Sequence, residues 1–249
     1  MDVQSLAARF HADGFVVAPQ VFSPDDIAEM DCKLKAFIAR ETPTMETGDI
    51  FYEAGGSAIK SMFRLNKRDD YFDALTRDER LAGMVEAIFP GEPMFVFSVS
   101  YFGKPAKDGT AAPPHQDNGF IALDPPFGLS YSIALDEHTL ENGAMHCARG
   151  SHHQGLLAHH GSGVEGFSQS LVDPFDKEAC PPIPCLMKPG DVTLHHFNTI
   201  HFSAGNQSNH SRRMITTVFR SERATRDEAR YAAIQQERQR LHGRLAVEK

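Results

Sequence analysis

The chain contains no tryptophan and, across 249 residues, only four cysteines: Cys32, Cys147, Cys180 and Cys185. None of them forms a CxxC pair. Cys180 and Cys185 flank Pro181-Pro182-Ile183-Pro184, a stiff extended spacer, and no second pair supplies the further ligands a zinc site needs. Four ordinary thiols without a disulfide are expected. Basic residues are in the minority, 25 Lys and Arg against 33 Asp and Glu, for a formal net charge of -8. That balance excludes the basic face a nucleic-acid partner would need. No apolar run approaches the roughly 18 residues of a membrane span. Met1-Asp2-Val3-Gln4-Ser5 lacks the basic and apolar regions of a secretory signal, so the expected location is cytoplasmic.

What is present is a 41% hydrophobic chain with 13 histidines. Its size suits one buried domain over residues 1–249, as all-β barrels of this length commonly are. Helical spacing is expected over Asp2 to His11. Ser23-Pro24-Asp25-Asp26 then gives an N-cap, a first-turn proline and two acids at the positive end of a helix running to Ala39. Arg77 to Phe89 reads as another helix and Arg223 to Leu245 as a charged surface helix. Gly14 to Val17 reads as a strand, Thr42 to Ser57 as a loop and Gly155 to Glu178 as an insertion or loop.

From Met94 to Phe102 onward the texture is that of short strands. Candidates are Leu129 to Leu135, Ala144 to Ala148, Cys185 to Lys188, Asp191 to His195, Thr199 to Ser203 and Arg212 to Arg220. Glu141-Asn142-Gly143, Arg149-Gly150-Ser151 and Pro189-Gly190-Asp191 punctuate them. Such a series predicts a mainly β sandwich or barrel with helices buttressing one sheet.

The chemistry centres on Pro113-Pro114-His115-Gln116-Asp117. The prolines deliver an extended segment, and alternation along it turns His115 and Asp117 to the same side. An imidazole and a carboxylate so placed can share one metal. A distant third histidine would complete the facial triad that leaves three positions open on Fe(II). His195, His196 and His201 compete for that place, and spacing alone leaves the choice open. His195 and His196 alternate on a strand, so at most one faces a pocket. The remaining histidines have ordinary readings: His11, His138, His210 and His242 as solvated, His152 and His153 as turn residues. Asn118 and Phe120 follow the metal motif and are candidates for a substrate pocket, as is Tyr101, although aromatic strand residues usually pack in a core.

In order along the chain stand His115-Gln116-Asp117, Glu141-Asn142-Gly143, Gly150-Ser151-His152, Gly190-Asp191, and His201 with Ser203, Asn206 and Arg212. Asp13-Gly14-Phe15-Val16-Val17 and Phe22-Ser23-Pro24 precede them. This pattern resembles the phytanoyl-CoA dioxygenase family of Fe(II)/2-oxoglutarate oxygenases from about Phe10 to Phe219. The resemblance implies a double-stranded β-helix, the jelly-roll, cupin-like barrel. It selects His201 as the third ligand, and it gives Arg212 the place of the arginine that binds the C5 carboxylate of 2-oxoglutarate. A guanidinium fork suits that role. Ser203 faces the same way as His201 on a strand and can donate to the same carboxylate. Lys60 falls near a lysine that contacts the cosubstrate, with a solvated surface lysine as its ordinary reading. Phe202 and Arg149 depart from the family's usual Gly and Pro.

The implied reaction consumes 2-oxoglutarate and O2, releases succinate and CO2, and hydroxylates a C–H bond of a small organic substrate. Related halogenases lack the carboxylate that Asp117 supplies, so hydroxylation is expected over halogenation. Desaturation or ring closure stays open. The competing class is a cupin-type metal-dependent hydrolase or isomerase, which would hold its metal with the same ligands and have no use for Arg212.

Overall fold

A computed structural model describes residues 2–54, 56–164 and 167–247. In chain order the elements are α1 (Val3–Asp13), β1 (Phe15–Ala18), α2 (Pro24–Glu41), β2 (Ile50–Tyr52), β3 (Ile59–Met62), α3 (Asp70–Leu75) and α4 (Glu79–Ile88). The barrel strands begin with β4 (Met94–Lys104) and β5 (Ala112–His115), followed by α5 (Asn118–Ile121), β6 (Leu123–Asp124), β7 (Gly128–Ala134) and β8 (Met145–Ala148). Then come β9 (His159–Val164), β10 (Phe167–Leu171), β11 (Pro182–Pro184), β12 (Val192–His196), β13 (His201–Ser203), β14 (Arg212–Ser221), β15 (Thr225–Arg226) and α6 (Glu228–Val247). Among the described residues no helix is long and apolar enough to cross a membrane.

Two antiparallel sheets make the jelly roll. The larger has seven strands in the order β1-β12-β7-β14-β4-β3-β2, the smaller four in the order β11-β8-β13-β5. Strand alternation sorts the larger sheet into two chemistries. Val99 and Tyr101 of β4, Leu129, Tyr131 and Ile133 of β7, Val192 and Leu194 of β12 and Ile215 of β14 face outward. They join one apolar core with Leu6, Phe10, Met30, Leu34, Phe37 and Phe72 of the covering helices. The intervening Ser98, Ser100, Ser130, Ser132, His195, Arg212 and Thr216 face inward and line a cavity of 620 Å³. His115, Met145, His201 and Ser203 of the smaller sheet form its opposite wall.

Helix ends follow the local chemistry. Ser23 and Asp26 exchange hydrogen bonds as a capping box at the start of α2. Asp2 caps α1, which ends on Gly14 at φ +83°. There a side chain would also collide with His152 and Thr199.

Several expectations need correction. Tyr101 is not in the substrate cavity: its register position opposite Ile215 turns it to the helix-covered core, where it is 6% exposed. Asn118 is buried with its amide closing the α5 turn, donating to the Leu123 carbonyl and accepting from the Leu123 N–H at 3.0 and 2.7 Å. It has no place in the cavity wall. His138 is buried rather than solvated. The strand expected over Cys185 to Lys188 lies instead at Pro182–Pro184, where prolines are tolerated because β11 is a sheet edge. The expected insertion contains the β9–β10 hairpin, whose strands pair with each other and show no strict apolar alternation; β9 is polar and carries Gly161 and Gly163. The expected loop over Thr42 to Ser57 contains β2, three residues on the outer edge of the larger sheet. The side chain of His242 lies outside the described residues.

Candidate metal centre

His115 ends β5 and His201 opens β13, and the two are direct partners in the ladder, with rings 4.2 Å apart. Asp117 stands just past β5, before the α5 turn. One ligand atom from each of these three residues can be chosen so that all lie within 4.8 Å of one another. The segment between the two ligands is held by Gln116, which is fully buried. Its amide donates to the carbonyls of Gly155 and Asn198 and accepts from the Leu157 N–H, at 2.8, 2.7 and 2.8 Å.

The histidine tautomers are fixed by the backbone. Nδ1 of His115 lies 2.7 Å from the Pro113 carbonyl, and Nδ1 of His201 lies 3.0 Å from that of Thr199. A carbonyl only accepts, so each Nδ1 carries the proton and each Nε2 keeps its lone pair for a metal. Burial pushes both rings below the ordinary histidine range, with His115 and His195 adding to the effect at His201. Asp117 is the charged partner. Burial works to raise its pKa, but His201, His195 and His115 outweigh it and hold the carboxyl far below the usual range. Two neutral imidazoles and one carboxylate on one side of a cavity are a facial donor set for a divalent ion with open positions.

His195, not His196, faces this site. Its Nε2 lies 3.1 Å from Oδ2 of Asp117, which also accepts from Ser130 Oγ at 2.6 Å. Once Val192 and Leu194 are assigned to the core, alternation along β12 turns Thr193 and His195 inward. Ser130, Lys104 and Glu53 were not legible as site residues.

At the other end of the cavity three cations gather. Lys60 of β3, Lys104 of β4 and Arg212 of β14 all line it, and all are at most 5% exposed. Lys60 is therefore buried, not a solvated surface lysine. Lys104 is pushed down to about 7 by burial and by Arg212, with Glu53 opposing. Its Nζ donates to the Thr110 carbonyl, and Glu53 in turn accepts from the Thr110 N–H at 3.0 Å.

Arg212 is the informative member. Among the described residues its guanidinium meets only the Gly143 carbonyl at 3.2 Å and the Met214 sulfur at 3.3 Å, and its Nε has no partner. Burial lowers its pKa to about 10. Arg213, the next residue, is paired to Asp136 and Asp31 on the opposite face. A buried arginine without an acid is costly unless an anion meets it. The donor set and this cation fit iron and a dicarboxylate in one cavity. Ser203 lines the same wall two residues beyond His201, and Phe120 sets its edge against the His115 ring at 5.4 Å.

This fold and site define the class: a jelly-roll oxygenase that uses non-haem Fe(II) and 2-oxoglutarate. The chain belongs to the phytanoyl-CoA dioxygenase family, whose profile matches residues 10–214. Ectoine dioxygenase of Stutzerimonas stutzeri is 26% identical over 230 residues, covering 86% of this chain and 75% of that one. L-proline trans-4-hydroxylase of Streptomyces griseoviridis is 27% identical over 153 residues, covering 60% of this chain and about half, 55%, of that protein. The crystal structure of EctD from S. alaskensis with 2-oxoglutarate and 5-hydroxyectoine shares the fold, with a TM-score of 0.73 at 22% identity over 87% of this chain and 75% of that one.

Proposed function

We propose that residues 1–249 form one catalytic domain that hydroxylates a C–H bond of a small organic molecule. The overall change is substrate plus 2-oxoglutarate plus O2 to alcohol, succinate and CO2. His115, Asp117 and His201 would hold the iron through the two Nε2 atoms and a carboxylate oxygen. Bound there with 2-oxoglutarate, iron supplies the oxidising power for the C–H bond. Arg212 takes the C5 carboxylate of 2-oxoglutarate, with Lys60 and Ser203 beside it. Ser130 and His195 hold Asp117 in place. The inward serines and threonines of β4, β7 and β14 give the cavity a polar floor, and Phe120 shields one side of His115.

The observation that carries this reading is Arg212: a buried guanidinium, paired to no acid among the described residues, in the same cavity as the triad. A hydrolase or isomerase using the same ligands would have no use for it. The free thiols of all four cysteines support a cytoplasmic location.

An anaerobic titration with Fe(II) and 2-oxoglutarate tests the assignment. A visible charge-transfer band requiring both is expected, and it should vanish in His201→Ala. A band that survives that substitution, or none in metal-replete wild type, would overturn it.

A further inference from the structure

Strand β14 divides the cavity. Arg212, Met214, Thr216 and Val218 line it in succession. Ser130, which bonds Asp117, is the β7 partner of Val218. The triad is therefore level with Val218, and the stretch back to Arg212 is the cosubstrate's half. The other half lies beyond Val218, and its walls have a different chemistry. Phe97, Phe120, Ile121 and Val218 are apolar, while Arg226 of β15 and Tyr231 of α6 bring polar groups to the rim.

Arg226 lies over the Tyr231 ring, its guanidinium carbon 4.0 Å from the centroid. Stacking fixes the plane of the fork and leaves its N–H edges for a ligand. Its Nε is buried and has no hydrogen-bond partner, and no carboxylate pairs with it among the described residues. Arg220 stands behind it, stacked over Phe95 and Phe97 at 4.7 and 5.4 Å, likewise without an acid among the described residues. The two charges are close enough to oppose each other: burial and then Arg226 lower the pKa of Arg220. Two other arginines nearby are treated differently. Arg64, also in the cavity wall, is paired to Asp49, and Arg223 is paired to Glu92. In a chain of net charge -8, two adjacent cations with no acid among the described residues, one of them in the cavity wall, form a site that an anion would satisfy.

We propose that Arg226, supported by Arg220, docks an anionic group of the substrate, a carboxylate or phosphate, while the apolar body lies along Phe97, Phe120 and Val218 toward the triad. This rests on the oxygenase reading above and narrows its substrate class to organic acids or phosphate esters with an apolar portion. The arrangement puts the charged end at the rim and the C–H bond at the triad. An uncharged analogue would leave the arginine pair unneutralised and lose most of its affinity.

The test is isothermal titration of the anaerobic protein holding Fe(II) and saturating 2-oxoglutarate, so that Arg212 is occupied. The probes are 3-phenylpropanoate, phenyl phosphate and the methyl ester of 3-phenylpropanoate. At least one anion should bind ten-fold or more tighter than the ester, and the better anion identifies carboxylate or phosphate as the docked group. Arg226→Gln should weaken that anion ten-fold or more, and Arg220→Gln less. Ester binding and the charge-transfer band should stay unchanged, which also certifies the fold of each variant. If neither anion outbinds the ester, or Arg226→Gln binds the anion as well as wild type does, the proposal falls. A wild-type protein without the charge-transfer band loses the oxygenase reading itself. An intact band with no anion preference removes only the Arg226 assignment.

Discussion

Nε2 of His195 lies 3.1 Å from Oδ2 of Asp117, and Ser130 Oγ reaches the same oxygen at 2.6 Å. Two donors therefore occupy one carboxylate oxygen. The other, Oδ1, is left beside Nε2 of His201 at 3.5 Å. The division turns a carboxylate with two equivalent oxygens into a single directed ligand.

His195 is accordingly a positioning residue. His195→Ala should weaken Fe(II) binding by roughly 10- to 100-fold, the usual cost of losing a partner that orients a metal ligand. His195→Gln, whose amide can still donate to Oδ2, should recover much of that loss. Anaerobic Fe(II) titration, paired with thermal melting of the metal-free protein, checks it. A role in packing alone would lower the melting temperature and leave the metal affinity of the folded fraction unchanged.

Arg212 should separate cosubstrate binding from metal binding. Losing a charge-assisted hydrogen-bonded partner costs about 1.5–3 kcal/mol, so Arg212→Ala should weaken 2-oxoglutarate by roughly ten-fold to over 100-fold. Fe(II) affinity should change little. Arg212→Lys keeps the charge but not the fork and should fall between. Calorimetric titration of both ligands measures this, and equal 2-oxoglutarate affinity in the alanine variant would remove Arg212 from the site.

The parts of this architecture that were legible in the sequence are those governed by local pattern. The capped start of α2, the alternating strands β4, β7 and β14, and the His115–Asp117 pair each announce themselves within a few residues. The choice of His201 came from resemblance, because three nearby histidines satisfy the same spacing. What stayed hidden depends on partners far away in the chain. Tyr101 and Phe102 look alike as aromatic strand residues, and only packing against the helices decides which faces the core. Lys60 reads equally as a cosubstrate contact or a solvated lysine until β3 pairs with β4 and buries it. Asn118 reads as a pocket residue until its amide closes on Leu123.

Gly143 is required twice, by conformation and by space. It sits at φ +79°, and an added Cβ would lie 2.4 Å from the Ala204 carbonyl oxygen. Its own carbonyl accepts from Arg212. Gly150 has nearly the same φ, +72°, with nothing within 4 Å of an added Cβ. Gly150→Ala should therefore cost only the left-handed backbone penalty, about 1–2 kcal/mol. Gly143→Ala should cost clearly more and also weaken 2-oxoglutarate binding. Urea unfolding of the two variants makes the comparison, and equal losses would show that the contact with Ala204 relaxes without cost.

His138 gives the fold a dependence on pH away from the metal centre. Burial, reinforced by Arg212, pushes its pKa from 6.5 down to about 3. Its Nε2 lies 3.3 Å from the Arg213 carbonyl. Above pH 6.5 the ring is neutral in both folded and unfolded chains and contributes no slope. Between about 6.5 and 3 the unfolded chain binds a proton that the folded chain refuses, so stability falls as the solution is acidified. One such site is worth about 1.4 kcal/mol per pH unit, or about 2 kcal/mol by pH 5. His138→Gln should lower stability at pH 7.5 through lost packing yet reduce the further loss between pH 7.5 and 5 by about 2 kcal/mol. Urea denaturation at both values measures the difference. His196, also pushed down to about 3 by burial, keeps part of the slope in the variant. An undiminished slope in His138→Gln would mean that the folded protein admits the proton at this ring.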